Sequence, residues 1–195
     1  MWVLFVHGTE LSKTSCPFPP EFKNYYDFNW ELRNNEWINT KSKTNYLLLS
    51  LSWSPTFCAS LSDIARVKEF QCHRSDIFDF VVHGLWPQTF KAASVRDQPR
   101  NCRNEQQLPL SIIKRFYCLM PDEDLMQAEW EKHGKVPNIR AMKQPTSSSI
   151  KNAFLTLNSP HLFPSAIDVH IDKQGRLHEI RLCYDLQYKF ISCTQ

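Results

Sequence analysis

The apolar and polar positions of this chain fall into short blocks, and each block predicts an element. Phe78-Asp79-Phe80-Val81-Val82 is rich in aromatic and β-branched residues, the composition of a buried strand. That strand is predicted over 78–83, where His83-Gly84 ends the run and Trp86-Pro87 forces an extended turn. Further strands are predicted over 45–53, 166–171, 177–184 and 188–192, with a turn at Asp172-Lys173-Gln174-Gly175. Helices are predicted over 60–67, 109–118, 122–133 and 147–157, the last capped by Ser147 or Ser148. Helices gather in the middle of the chain and strands towards its end. That order predicts an α+β fold, mainly an antiparallel sheet with helices packed on one side. The chain has no internal repeat and no low-complexity tract.

The helix over 122–133 carries the sharpest local geometry. Asp122 takes the N-cap position after Pro121, acids fill the first turn, and Gly134 falls where a helix usually stops. Glu129 and His133 are then one turn apart, with Lys132 three positions after Glu129, so all three project towards one face. His133 sits at the negative end of the helix dipole and next to a carboxylate. Its pKa is therefore expected above the ordinary imidazole value. Trp130 points largely away from this set and is assigned to packing.

With His83 these residues make a chemically specific set. Two histidines supply acid–base groups near neutral pKa, while Glu129 and Lys132 supply polar and cationic help for a charge-rich phosphorane. Metal-free cleavage of RNA needs those groups. Trp86 offers a flat surface on which an unstacked base can rest, although a tryptophan before proline serves core packing about as often. Taken singly, a histidine at a strand end is usually structural, and a Glu/Lys/His run is usually a solvated helix face. Joint occurrence with the cysteine segments below favours catalysis. His7, His73, His161, His170 and His178 are read as structural.

Composition narrows the setting. At 195 residues the chain is of ordinary single-domain size, able to bury roughly 70% of its unfolded surface. No stretch approaches the roughly 20 apolar residues of a membrane helix. The net charge of +3 suits an RNA-cleaving cleft but does not diagnose one. Seven cysteines point to an oxidising compartment. Met1–Val6 is apolar yet lacks the basic start and long core of a signal peptide, and reads as a truncated signal, a wrongly chosen start or a strand.

His83-Gly84-Leu85-Trp86-Pro87 and Glu129-Trp130-Glu131-Lys132-His133-Gly134 resemble the two active-site segments of the ribonuclease T2 family of secreted endoribonucleases. Trp53-Ser54-Pro55-Thr56-Phe57-Cys58 is similar to a third family segment, and Ile180–Cys183 with Ile191–Cys193 resembles the closing cysteine pair. The resemblance spans 44–195 and implies a catalytic domain there, leaving 1–43 as an aromatic-rich extension without a family counterpart that packs on the main domain. It implies His83 and His133 as the acid–base pair, Glu129 and Lys132 as transition-state stabilisers, and Trp86 lining a base site. The implied reaction cuts single-stranded RNA with little base specificity, through a 2′,3′-cyclic phosphate, with no metal or other cofactor. Sequence leaves open which histidine is the base. The expected protein is a secreted or periplasmic monomer, with no membrane and no obligate protein partner.

Two departures from the family stand out. Ala128 occupies a position where many members carry a phosphate-holding histidine, and Gly134-Lys135-Val136 lacks a cysteine many members have. The expected bridges are Cys58–Cys72, Cys183–Cys193 and, because the usual partner after the helix is missing, Cys102–Cys118, which leaves Cys16 over. Other function classes stay in view. One is a metal-dependent hydrolase using His83, Glu129 and His133 as ligands, although Lys132 would repel the ion and no third histidine is evident. Another is a non-catalytic relative that binds RNA or a protein.

Overall fold

The computed structural model describes residues 18–73, 78–134 and 162–193. The helix predicted over 147–157, Met1–Val6, His7, Cys16 and His161 lie outside the described residues. Strands β1 (Tyr46–Trp53), β2 (Phe80–Gln88), β3 (Ile167–Ile171) and β4 (Leu177–Tyr184) form one antiparallel sheet in the order β2-β1-β4-β3. With its helices this is the α+β fold that the order of elements predicts.

Alternation along β1 gives the sheet two unlike faces. Leu47, Leu49 and Leu51 pack with Ala166, Leu182, Tyr184 and Phe190 in a buried core. Leu48, Ser50 and Ser52 face the other way. The register sets Trp86 opposite Leu48, Gly84 and Arg181 on either side of Ser50, and Glu179 opposite Ser52. Directly opposed residues share a face, so polar side chains collect on this side.

β2 holds its register with β1 from Gln88 to Gly84 and then slips, because Ser50 pairs with Gly84 but Leu51 pairs with Val82. His83 is the extra residue of this β-bulge, which bends the strand and re-aims its side chain. The strand predicted to stop at 83 therefore runs on to Gln88, and Trp86-Pro87 lies within it instead of in a turn. Pro87 is tolerated because β2 is an edge strand.

The helices follow their local signals with one addition. The helix predicted over 60–67 is α2 (Asp63–Lys68), capped by Ser62 accepting from the Ala65 N–H, and α1 (Ser54–Ser60), with Pro55 in its first turn, precedes it where no helix was predicted. Helices α3 (Leu110–Phe116) and α4 (Glu123–His133) lie where predicted, and the Asp122 carboxylate accepts from the Leu125 N–H at 3.0 Å. The strand expected over 188–192 is reduced to a single bridge between Phe190 and Tyr184. The Asp172–Gly175 turn forms, with Gly175 at φ 78 donating to the Asp172 carbonyl.

Residues 18–43 are built into the body of the protein. Tyr26 is buried with Ile113, Tyr117, Met120 and Met126 in a second core, and the Phe28 N–H donates to Glu131 at 3.0 Å. Cys58–Cys72 and Cys183–Cys193 are bonded. The expected Cys102–Cys118 bridge is not formed. Cys102 is a free thiol whose sulfur lies near the Asn39 and Arg100 carbonyls, because an Asn39–Arg100 bridge pins its segment to the preceding chain. Cys118 is disulfide-bonded, with its partner outside the described residues.

Candidate active site

α4 packs across β2, and the contact depends on a missing side chain. A Cβ on Gly84 would lie 2.4 Å from a carboxylate oxygen of Glu129 and 2.4 Å from the Trp86 indole nitrogen. Glycine thus lets the helix bring its functional face onto the strand. Beside this contact lies a cavity of about 460 Å³. His83, Trp86, Glu129, Lys132 and His133, every residue the sequence selects for catalysis or substrate binding, line its wall.

On the helix side the one-turn spacing works as predicted. Lys132 Nζ is 2.6 Å from Glu129 Oε1, and His133 Nε2 is 3.8 Å from Glu129 Oε2. The other anchor of Glu129 comes from the sheet, where Trp86 Nε1 donates to Oε2 at 2.5 Å. Burial would raise the Glu129 pKa, but His133 whenever it is protonated, and the Lys132 charge and hydrogen bond, hold it below the usual carboxylate range. The expectation for His133 is overturned. Burial pushes its pKa down to about 3, Arg100 and Lys132 add to that, and Glu129 opposes without prevailing. The helix-terminal argument assumed an exposed imidazole, and this one is enclosed.

The sheet side is organised by a carboxylate that the sequence pattern did not single out. His83 Nδ1 is 2.9 Å from Glu179 Oε1, and Arg181 Nε donates to Glu179 Oε2 at 2.8 Å. The Ser50 hydroxyl also donates to Oε1. Burial would raise the Glu179 pKa, yet these hydrogen bonds and the nearby cationic charge bring it down to about 2. An ionised acceptor on Nδ1 fixes the proton there and turns Nε2 to the cavity. Glu179 and Arg181 were readable in principle. They alternate along the strand predicted over 177–184, opposite serines that alternate along β1.

Trp86 stands between the two imidazoles, with ring centroids 5.1 Å from His83 and 6.0 Å from His133. Arg181 lies over its ring at 5.6 Å. Arg100 and Trp37 also line the cavity, and neither was selected from sequence. Ala128 is buried outside this wall, facing a separate depression beneath Tyr25 and Phe28. Trp130 packs against Gly134, as assigned. His73 contacts the Glu69 carbonyl and His170 the Asp168 carboxylate, both away from the cavity. Among the described residues no three His, Cys, Asp or Glu side chains converge as a metal-ligand set, and no helix is long and apolar enough to cross a membrane.

The sequence model of the ribonuclease T2 family matches residues 44–144. A protein of Haemophilus influenzae named "Probable ribonuclease" is 31% identical over 95% of this chain and 73% of its own length. A "Ribonuclease" of Aeromonas hydrophila is 39% identical over 46% of this chain, which is 36% of that protein. The solved structure of trichomaglin, described as a novel S-like ribonuclease, shares the fold with a TM-score of 0.57 at 16% identity, over 77% of this chain and 92% of the other. The extensive match to the Haemophilus protein and the family match over the segments that carry His83 and His133 agree. This chain belongs to the ribonuclease T2 family, and endoribonuclease activity is the general function that membership supports.

Proposed function

We propose that the protein cleaves single-stranded RNA, with little base specificity, by metal-independent transphosphorylation. The observation that carries this reading is a pair of imidazoles on one cavity, held in opposite environments. Buried His133 is neutral, and its Nε2 takes the proton from a ribose 2′-OH. The freed oxygen attacks the adjacent phosphorus. As the bond from phosphorus to the 5′ oxygen breaks, His83, backed by ionised Glu179, gives its Nε2 proton to the departing oxygen. The products are a 5′-hydroxyl and a 2′,3′-cyclic phosphate, which water then opens slowly with the two roles reversed.

Glu129 balances the charge that His133 gains and aims Lys132, whose ammonium offsets the charge growing on the phosphorane. Trp86 lines the substrate path and holds Glu129 in place. The bonded cysteines fit an oxidising compartment, and we take the protein to act as a secreted or periplasmic monomer. Residues 18–43, the described part of the segment 1–43 assigned no family counterpart from sequence, are taken as an integral flank of the catalytic domain.

The test is cleavage of a short end-labelled RNA in EDTA by the wild type, His83→Ala and His133→Ala. The wild type should leave cyclic phosphate ends, and each variant should lose roughly 10²–10⁴ in rate. Activity that returns only with added metal would contradict the mechanism. No cleavage by folded, disulfide-intact protein would favour a binding role.

A further inference from the structure

Among the described residues, Arg100 is the one cation on the cavity wall whose carboxylate partner comes from the chain before the family-matched region. Its Nε and Nη2 donate to the two oxygens of Glu36, each at 2.8 Å. Asn101 Nδ2 adds a third bond to the same carboxylate at 2.8 Å, and the guanidinium lies over the Trp37 ring at 4.6 Å. Burial would raise the Glu36 pKa, but the bonds from Arg100 and Asn101 and the charges of Arg100 and Lys132 hold it down. The carboxylate is therefore a fixed anion, and the arginine a fixed cation. Backbone bonds in both directions between Asn39 and Arg100 lock the two segments together.

This clamp engages one edge of the guanidinium and leaves Nη1 for the cavity. Nη1 lies 3.3 Å from His133 Nε2. On the proposed mechanism that nitrogen receives the 2′-OH, and the phosphate under attack sits within about 3 Å of that hydroxyl oxygen. A substrate that takes over Nε2 thus brings a phosphate oxygen to Nη1. Lys132 and Arg181 differ, because their carboxylates, Glu129 and Glu179, are the acids that serve the two histidines.

We propose that Arg100 is a phosphate-binding residue of this cleft and Glu36 its positioning residue, so that the segment before residue 44 completes the substrate site. The inference rests on the reading of the cleft as an RNA site, and its test does not require cleavage. Binding of a fluorescent 2′-fluoro RNA oligonucleotide, which lacks the attacking hydroxyl, is measured against salt concentration for the full chain. The wild type should bind, and Arg100→Gln should bind about tenfold more weakly. Its slope of log affinity against log salt should be shallower by about 0.7, the signature of one lost phosphate contact on a single strand.

Arg100→Gln leaves Glu36 buried without its cation, so the double variant Glu36→Gln/Arg100→Gln, which removes both charges, is measured beside it and should show the same slope. Glu36→Gln alone should keep the wild-type slope with affinity reduced several-fold, and on cleavable RNA should raise KM more than it lowers kcat. Wild-type affinity and slope in the folded Arg100 variants would overturn the inference, as would failure of the wild type to bind. Arg100-dependent binding without cleavage of ordinary RNA would sink the proposed reaction and leave this site standing.

Discussion

The two halves of the cleft hold the same side chain in contrasting ways. On the sheet, the His83 side chain is 36% exposed and leans on Glu179, an ionised carboxylate in direct contact with Nδ1. On the helix, the His133 side chain is 9% exposed, its nearest carboxylate is 3.8 Å away and committed to Lys132, and its Nδ1 is buried with no hydrogen-bond partner among the described residues. The first environment gives its imidazole an anionic partner, and the second, by burial, disfavours a charged one. On the proposed mechanism, burial against partnership distributes the acid and base roles between two chemically identical groups.

The contrast can be broken at the point where the halves meet. Gly84→Ala would push a methyl group into both the Glu129 carboxylate and the Trp86 nitrogen. We expect it to lower kcat by about 10²-fold, the usual cost of a displacement near 1 Å, while near-UV circular dichroism stays native-like. A rate within twofold of wild type would mean that the helix–strand contact does not set the catalytic geometry.

Glu179→Gln sharpens the comparison from the sheet side alone. The amide keeps the shape and loses the charge that supports His83 and Arg181. Loss of such a carboxylate behind a working imidazole costs on the order of 10–100-fold. The loss should fall on kcat, with KM little changed. A change in KM alone would make Glu179 a contributor to binding, acting through Arg181.

The comparison also reaches stability, and the two halves should report it at different pH. His133 resists protonation in the folded state, so the unfolded chain takes up that proton first as pH falls below about 6.5. Stability therefore declines from there towards pH 3, by up to about 1.36 kcal/mol per pH unit for one proton. The depressed Glu179 pKa stabilises fully above about pH 4.5, and that contribution is lost as pH falls towards 2. Denaturant melts between pH 7 and 4 should show the first decline, and His133→Gln should flatten it. An unchanged slope in that variant would place the titrating group elsewhere.

The helix side was legible in sequence because its information is local. A cap at Asp122, a stop at Gly134 and a one-turn spacing fix which side chains share a face before any tertiary contact forms. The sheet side was less legible because its information lies in register. No local signal in Phe80–Pro87 reveals that Leu51 pairs with Val82 and leaves His83 in a bulge. Glu179 and Arg181 acquire meaning only once β4 lies beside β1. The sign of the His133 shift was missed for a related reason, since the Arg100 and Trp37 that help close the site come from segments distant in the chain. The free Cys102 reflects the same bridge between residues 39 and 100.

The most direct test of the acid–base assignment uses an RNA whose scissile 5′ oxygen is replaced by sulfur, a leaving group that departs without protonation. Rates on this substrate and on ordinary RNA are compared for wild type, His83→Ala and His133→Ala. The assignment predicts that His83→Ala recovers most of its lost activity on the sulfur substrate while His133→Ala stays impaired on both. Recovery by His133→Ala instead, or by neither variant, would contradict it.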